Sequence, residues 1–288
     1  MPIYDPILAA SSENRYSEFY KKENRHLNAF NRIYQKLKWR HRRSIYRKLL
    51  VNDEEAWNSV TQGKKGCVLQ LRSGQSISGD TSDDTSGIFC EIFVDRCYSP
   101  DWFLPKYRAL NVIDLGANIG VFALYCCIHN PGTRLCLYEP DPSTFEKLKK
   151  NMHSNHFHDV SLNRMAVCDM KTTLHFNSNG SVDSGHSAFS SLGDGFSVDA
   201  IDLETCVANS DMTTIDLLKI DTEGAEDLII RHDCYDMQNI DRVVAEFHSL
   251  SKRDALQQRL TQRGYKTKTV PIHGHEDHLG LIYAKRTK

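Results

Sequence analysis

The 288-residue chain has no run of eighteen or more apolar residues, so the sequence offers no membrane-spanning helix. Its first residues, Met1-Pro2-Ile3-Tyr4-Asp5, lack the basic-then-apolar pattern of a secretory leader. The nine cysteines include no Cys-x-x-Cys pair, and Cys126 and Cys127 are adjacent within an apolar run. That argues against a zinc ribbon or a disulfide framework and for reduced thiols in the cytosol, where the sequon Asn179-Gly180-Ser181 has no role. Charge of either sign in excess is missing too: the net is −1, which gives no reason to expect a polynucleotide partner. What is present is ordinary for a globular protein, with 40% apolar and 25% charged residues and length for one large α/β domain or one domain with an appendage.

The charge is nonetheless uneven. Basic residues dominate from Arg15 to Lys48 and are densest at Trp39-Arg40-His41-Arg42-Arg43. Phe30, Ile33, Tyr34, Leu37, Ile45, Leu49 and Leu50 recur at roughly helical spacing. One or two amphipathic helices follow, either braced on the main domain or offered to an anionic partner, a membrane surface or a second copy. Residues 67–71 read as a short strand. A polar loop over 79–87 ends in a helix cap, and 88–97 reads as helical.

From Asn111 strands and helices alternate, the pattern of a parallel sheet covered on both faces. Strands are expected at 112–115, 134–138, 160–163, 217–221, 242–247, 266–270 and 279–284, and helices near 121–129, 143–154, 225–231 and 252–263. The last two strands read as an antiparallel hairpin, an ending that suggests a methyltransferase sheet rather than a dehydrogenase one. The Ser/Gly-rich insertion 177–195 reads as a substrate lid.

The strongest motif is Val112-Ile113-Asp114-Leu115-Gly116-Ala117-Asn118-Ile119-Gly120. An apolar strand delivers Asp114 to its end, and Gly116 and Gly120 let the backbone pass close to a ligand before a helix. A carboxylate there repels a pyrophosphate but suits the ammonium and sulfonium of S-adenosylmethionine. Glu139, 19 residues past Gly120, has the spacing of an acid that holds ribose hydroxyls. Leu218-Lys219-Ile220-Asp221-Thr222-Glu223-Gly224-Ala225-Glu226 places Asp221 at the ligand edge and Glu223 in the loop after it. Glu226 has the position of a helix-capping acid. Glu246 and His248 share parity and so face one side of their strand. His248 can take a proton near neutral pH, as the attack of a hydroxyl requires, or be a satisfied core histidine. His273-Gly274-His275-Glu276-Asp277-His278 matches no common ligand set, so no metal is expected, and a hairpin tip bordering the cleft is the better reading.

Three blocks, 112–120 with Tyr138-Glu139-Pro140-Asp141-Pro142, 217–226 and Glu246-Phe247-His248, resemble the FkbM-type S-adenosylmethionine-dependent methyltransferases from about Leu69 to Ala284; the approach from Leu71-Arg72-Ser73-Gly74 through 88–98 is similar too, and more loosely so is Ala166-Val167-Cys168-Asp169. The resemblance implies a Rossmann-like class I methyltransferase fold over residues 67–288; residues 1–66 lie outside it and read, from their own charge and spacing, as a basic helical extension. It implies O-methylation of a sugar or natural-product hydroxyl. Cofactor contacts follow at Asp114, Gly116, Asn118, Gly120 and Glu139 and near Ala166, with Asp221 on the same edge. His248 is then the expected base, and Asp221 or Glu223 orients the acceptor. Absent are an Asp/Asn-Pro-Pro-Tyr/Phe block for amino groups of bases and a Pro-Cys nucleophile for cytosine. A nucleotide-dependent oxidoreductase and a catalytically silent binding module remain the rival readings.

Overall fold

The computed structural model describes residues 29–176, 195–222, 225–230, 235, 237–271 and 279–287. Glu223, the insertion from 177 to 194 and the histidine-rich loop with His273, His275 and His278 lie outside the described residues.

Two helices, α1 (Ala29–Leu49) and α2 (Asp53–Gln62), come first, followed by the hairpin β1 (Val68–Gln70) and β2 (Ser76–Ser78). Part of the basic charge of α1 works inside the fold. Arg42 is buried and grips Asp95 through two bonds of 3.1 and 2.7 Å, and Arg43 pairs with Asp53. Tyr46, Leu50 and Ala56 belong to the same core cluster as the first helix of the sheet region.

The expected cap after the polar loop is Asp84, whose carboxylate accepts the Gly87 amide at 2.9 Å and starts α3 (Thr85–Phe89). The helix then widens into a π-turn over Cys90–Val94, a form that favours functional positions.

Next come β3 (Asn111–Leu115), α4 (Val121–His129), β4 (Arg134–Tyr138), α5 (Pro142–Ser154) and β5 (Val160–Asn163). They are followed by β6 (Ala166–Cys168), β7 (Thr172–Phe176), β8 (Phe196–Asp202) and α6 (Leu203–Asn209). The last elements are β9 (Leu217–Ile220), α7 (Glu226–Ile229), β10 (Arg242–Phe247), α8 (Leu250–Gln262), β11 (Tyr265–Pro271) and β12 (Gly280–Arg286). The main sheet has seven strands in the order β11-β12-β10-β9-β3-β4-β5. Its five strands from β10 to β5 are parallel, and β12 inserts antiparallel between β10 and β11, as the terminal hairpin was expected to do.

Alternation along the strands divides the core in two. Val112, Leu135, Leu217 and Val244 pack with α4 and α5 on one face. Ile113, Cys136, Leu218 and Val243 pack with α6 and α8 on the other. The seven expected strands form, whereas α2, α6 and a second sheet ordered β6-β8-β7 go beyond the sequence reading. The helix expected over 225–231 is shorter, ending at Ile229.

Candidate active site

The carboxyl ends of β3, β9 and β10 open on a cleft of about 280 Å³. Gly116, Ala117 and Asn118 line it from the loop after β3, and Lys219, Asp221, Glu246 and His248 from the other two strands. Ile88, Glu91, Ile92 and Tyr98 close it from the segment that runs through the π-turn.

Local chemistry shapes the loop after β3. Gly116 has φ of +79°, and a Cβ there would lie 1.8 Å from the Asp221 carbonyl oxygen. Gly120 has φ of +91°, and its Cβ would meet Met152 at 2.7 Å and Leu148 at 2.8 Å. What the two glycines admit is therefore this chain's own atoms, which draw β3 against β9 and α4 against α5. The Asn118 amide donates to Glu139 Oε2 at 2.9 Å, and the Asp141 amide donates to Oε1 at 3.0 Å. Burial raises the Glu139 carboxyl to about 7 against the pull of those two amides. Asn151 on α5 donates to the Ile119 carbonyl at 2.8 Å and to the Ser78 carbonyl at 3.0 Å, which clamps the loop to the β1–β2 hairpin.

Asp114 takes a different place from the one expected. Its carboxylate is 0% exposed and lies beneath the cleft rather than on its wall. The register of β3 on β9 sets Asp114 opposite Lys219, and equal parity turns both side chains to one face. The Lys219 ammonium, 3% exposed, lies 2.9 Å from Asp114 Oδ1, 3.0 Å from the Gly116 carbonyl and 3.5 Å from Asp221 Oδ2. Burial would lower the Lys219 pKa, but Asp114 and Asp221 outweigh it and hold the ammonium's pKa raised. The Asp114 charge thus reaches the cleft through Lys219.

Above this pair the cleft is acidic. The Tyr98 hydroxyl lies 2.9 Å from Asp221 Oδ2 and 3.1 Å from Glu246 Oε2, so one proton serves two carboxylates. Burial and both acids keep the Tyr98 pKa well above its ordinary value. Burial, with Asp221 and Asp95 nearby, lifts Glu91 to about 8. His248 sits among these groups, with Nδ1 3.5 Å from Glu226 Oε1 and Nε2 3.8 Å from Glu246 Oε1. The expected shared face of Glu246 and His248 is present.

Of the residues expected in the site, Gly116, Asn118, Asp221 and His248 meet at this cleft. Asp114, Gly120, Glu139 and Ala166 lie outside its lining, and Ala166 is buried in β6 opposite Ala200. Glu91 and Tyr98 line the site without a motif to mark them, although an acid inside the apolar run Gly87-Ile88-Phe89-Cys90-Glu91-Ile92-Phe93 is a signal. Among the described residues no group of three or more His, Cys, Asp or Glu could hold a metal ion. No helix among them is long and apolar enough to cross a membrane.

A seven-stranded, mostly parallel sheet with a reversed last strand and a glycine loop opening on an acidic cleft defines a Rossmann-like class I methyltransferase. The family described as the methyltransferase FkbM domain matches residues 114–267. The chain belongs to the FkbM methyltransferase family, a family of S-adenosylmethionine-dependent enzymes. The AMB antimetabolite synthetase AmbE of Pseudomonas aeruginosa is 25% identical, over 69% of this chain and 11% of that one. The 31-O-demethyl-FK506 methyltransferase FkbM of Streptomyces tacrolimicus is 33% identical, over 29% of this chain and 32% of that one. The chain therefore spans a third or less of the length of these relatives. Among solved structures, methyltransferase FkbM from Methylobacillus flagellatus superposes with a TM-score of 0.47 and 12% identity, over 69% of this chain and 54% of that one.

Proposed function

We propose that the chain binds S-adenosylmethionine at this cleft and methylates a hydroxyl of a sugar or natural-product small molecule. The observation that carries the reading is the meeting of the glycine loop, the Asp221 and Glu246 carboxylates and His248 at one cleft. Asp221 and Glu246 line it against a single buried ammonium, a balance that suits a cationic ligand and disfavours a diphosphate. Glu139 uses two of its lone pairs on backbone amides and keeps the others for the ribose hydroxyls. Asn118 and Gly116 line the path of the nucleoside, with Asp114 acting on it through Lys219.

When bound, the cofactor supplies a methyl group activated by a sulfonium. The chain's own part is to hold the acceptor oxygen in line and to remove its proton. His248 takes that proton on Nε2 as the oxygen gains the methyl group, and Asp221 orients the hydroxyl. Holding both reactants can supply about 7 kcal/mol or more of the barrier. The assay offers hydroxylated acceptors and reads S-adenosylhomocysteine release and a mass gain of one methyl. His248→Ala should lower turnover at least about 100-fold, the usual scale of general-base catalysis, with cofactor affinity unchanged. Equal turnover would remove His248 from the reaction. Tight binding of S-adenosylhomocysteine without turnover on any acceptor would leave a binding module.

A further inference from the structure

Behind His248 stands a carboxylate that lies outside the cleft lining. Glu226 is 1% exposed and presents Oε1 3.5 Å from His248 Nδ1. The Thr222 amide donates to the same oxygen at 3.3 Å, so the loop after β9 fixes it. Its helix α7 is fastened to α8, where Arg259 donates to the Asp227 carbonyl and lies 3.6 Å from the Asp227 carboxylate. His248 is held as firmly. Phe247 before it is buried, and Ser249 after it caps α8 by accepting the Lys252 amide at 3.3 Å. Both partners sit at the ends of rigid elements, where a ring can be aimed.

We infer that Glu226 is a positioning residue that holds the His248 proton on Nδ1 and so keeps the Nε2 lone pair facing the cleft. A neutral imidazole carries one N–H, and the neighbouring acceptors decide which nitrogen bears it. Glu226 is both nearer and drier than its rival: Glu246 lies 3.8 Å from Nε2, with a side chain 14% exposed against 1% for Glu226. Glu246 also accepts from Tyr98 at 3.1 Å. A charge acts more strongly at shorter range and lower dielectric, so the proton settles on the Glu226 side. Among the described residues, Asp221, Lys219, Glu91 and Tyr98 also face the ring across the cleft. When Nε2 receives the acceptor's proton, the Glu226 carboxylate stabilises the resulting imidazolium. The assignment rests on the reading of His248 as the base, but the ring's tautomer is measurable without any acceptor.

The test uses the full chain labelled with 15N-histidine and saturated with S-adenosylhomocysteine, with His248 identified by its absence in His248→Asn. Long-range 1H–15N spectra should show Nδ1 protonated and Nε2 bare above the titration range. Glu226→Gln keeps the shape and the Thr222 contact but removes the charge. It should move the His248 titration midpoint down by about one unit or more, the scale of one opposite charge at this distance. Glu226→Asp should recover part of the shift. A wild-type ring protonated on Nε2, or a midpoint that Glu226→Gln leaves in place, overturns the inference; the first outcome does not require Glu226→Gln to fold. If the tautomer and shift are as stated but His248→Ala still methylates at the full rate, the base reading fails and the positioning stands.

Discussion

Replacing Lys219 by Met tests the electrostatic centre of the fold. The substitution keeps most of the side-chain stem and removes the ammonium that lies 2.9 Å from Asp114 and 3.0 Å from the Gly116 carbonyl. Asp114 is 0% exposed, so its carboxylate would be left in a dry site without a cation. Breaking one side of such a pair costs about 3–5 kcal/mol. Domains of ordinary stability have about 5–15 kcal/mol in total, so the loss is severe. At roughly 2–4 °C per kcal/mol it lowers the melting temperature by roughly 6–20 °C. The sign with pH is also fixed. Burial already raises the folded pKa of Asp114 above its unfolded value of about 3.9 against the pull of Lys219, and without Lys219 it rises further. The variant's stability is therefore full below that unfolded value and declines as pH rises through the folded one. The gap between wild type and Lys219→Met should be wide at pH 8 and narrower at pH 5. Adding Asp114→Asn to the variant should recover much of the loss at pH 8. Urea denaturation followed by far-ultraviolet circular dichroism at both pH values measures all three proteins. A variant within 1 kcal/mol of wild type at pH 8, or a gap indifferent to acid, refutes the buried pair.

The proposed tests of His248 and Glu226 stand with two further predictions. Gly116→Ala should fail to fold or lose roughly 3 kcal/mol or more, because the left-handed backbone alone costs about 1–2 kcal/mol and the new methyl meets a carbonyl. Soluble protein with an unchanged melting temperature would contradict the close approach of β3 and β9. Glu91, held near 8 in the folded state, makes wild-type stability fall between an unfolded value of about 4.3 and pH 8 and level off beyond. Glu91→Gln removes that slope, so its melting temperature relative to wild type should climb from pH 5 to pH 8. A constant offset across that range would mean that Glu91 is ionised throughout.

Short continuous apolar runs made the strands of the parallel sheet legible, because a strand buried on both faces is apolar at nearly every position. Parity alone put Glu246 and His248 on one side, and the polar loop over 79–87 announced a helix cap, which the structure sets at Asp84, ahead of the expected helix. The strand β6 was hidden because it is only three residues long and β7 because its burial is slight, and both pair with β8, whose partner residues lie far along the chain. The site was legible where its residues follow strands and obscure where it depends on pairing. Tyr98 reaches Asp221 across 123 residues and Glu246 across 148, which no local pattern encodes. Asp114 stood out as an acid beside a glycine loop, and nothing in the order of residues says that Lys219 lies opposite it. That fact belongs to the register of β3 on β9.

The amide of Asn151 ties three stretches of chain that are distant in sequence, around Ser78, Ile119 and itself. The signature loop after β3 consequently borrows part of its shape from a hairpin that precedes the sheet. A shortened chain beginning at Asn111 would retain every residue of the signature and lose the outer half of its clasp. Truncation experiments on this protein should accordingly keep the hairpin whenever the loop's geometry is the property under study.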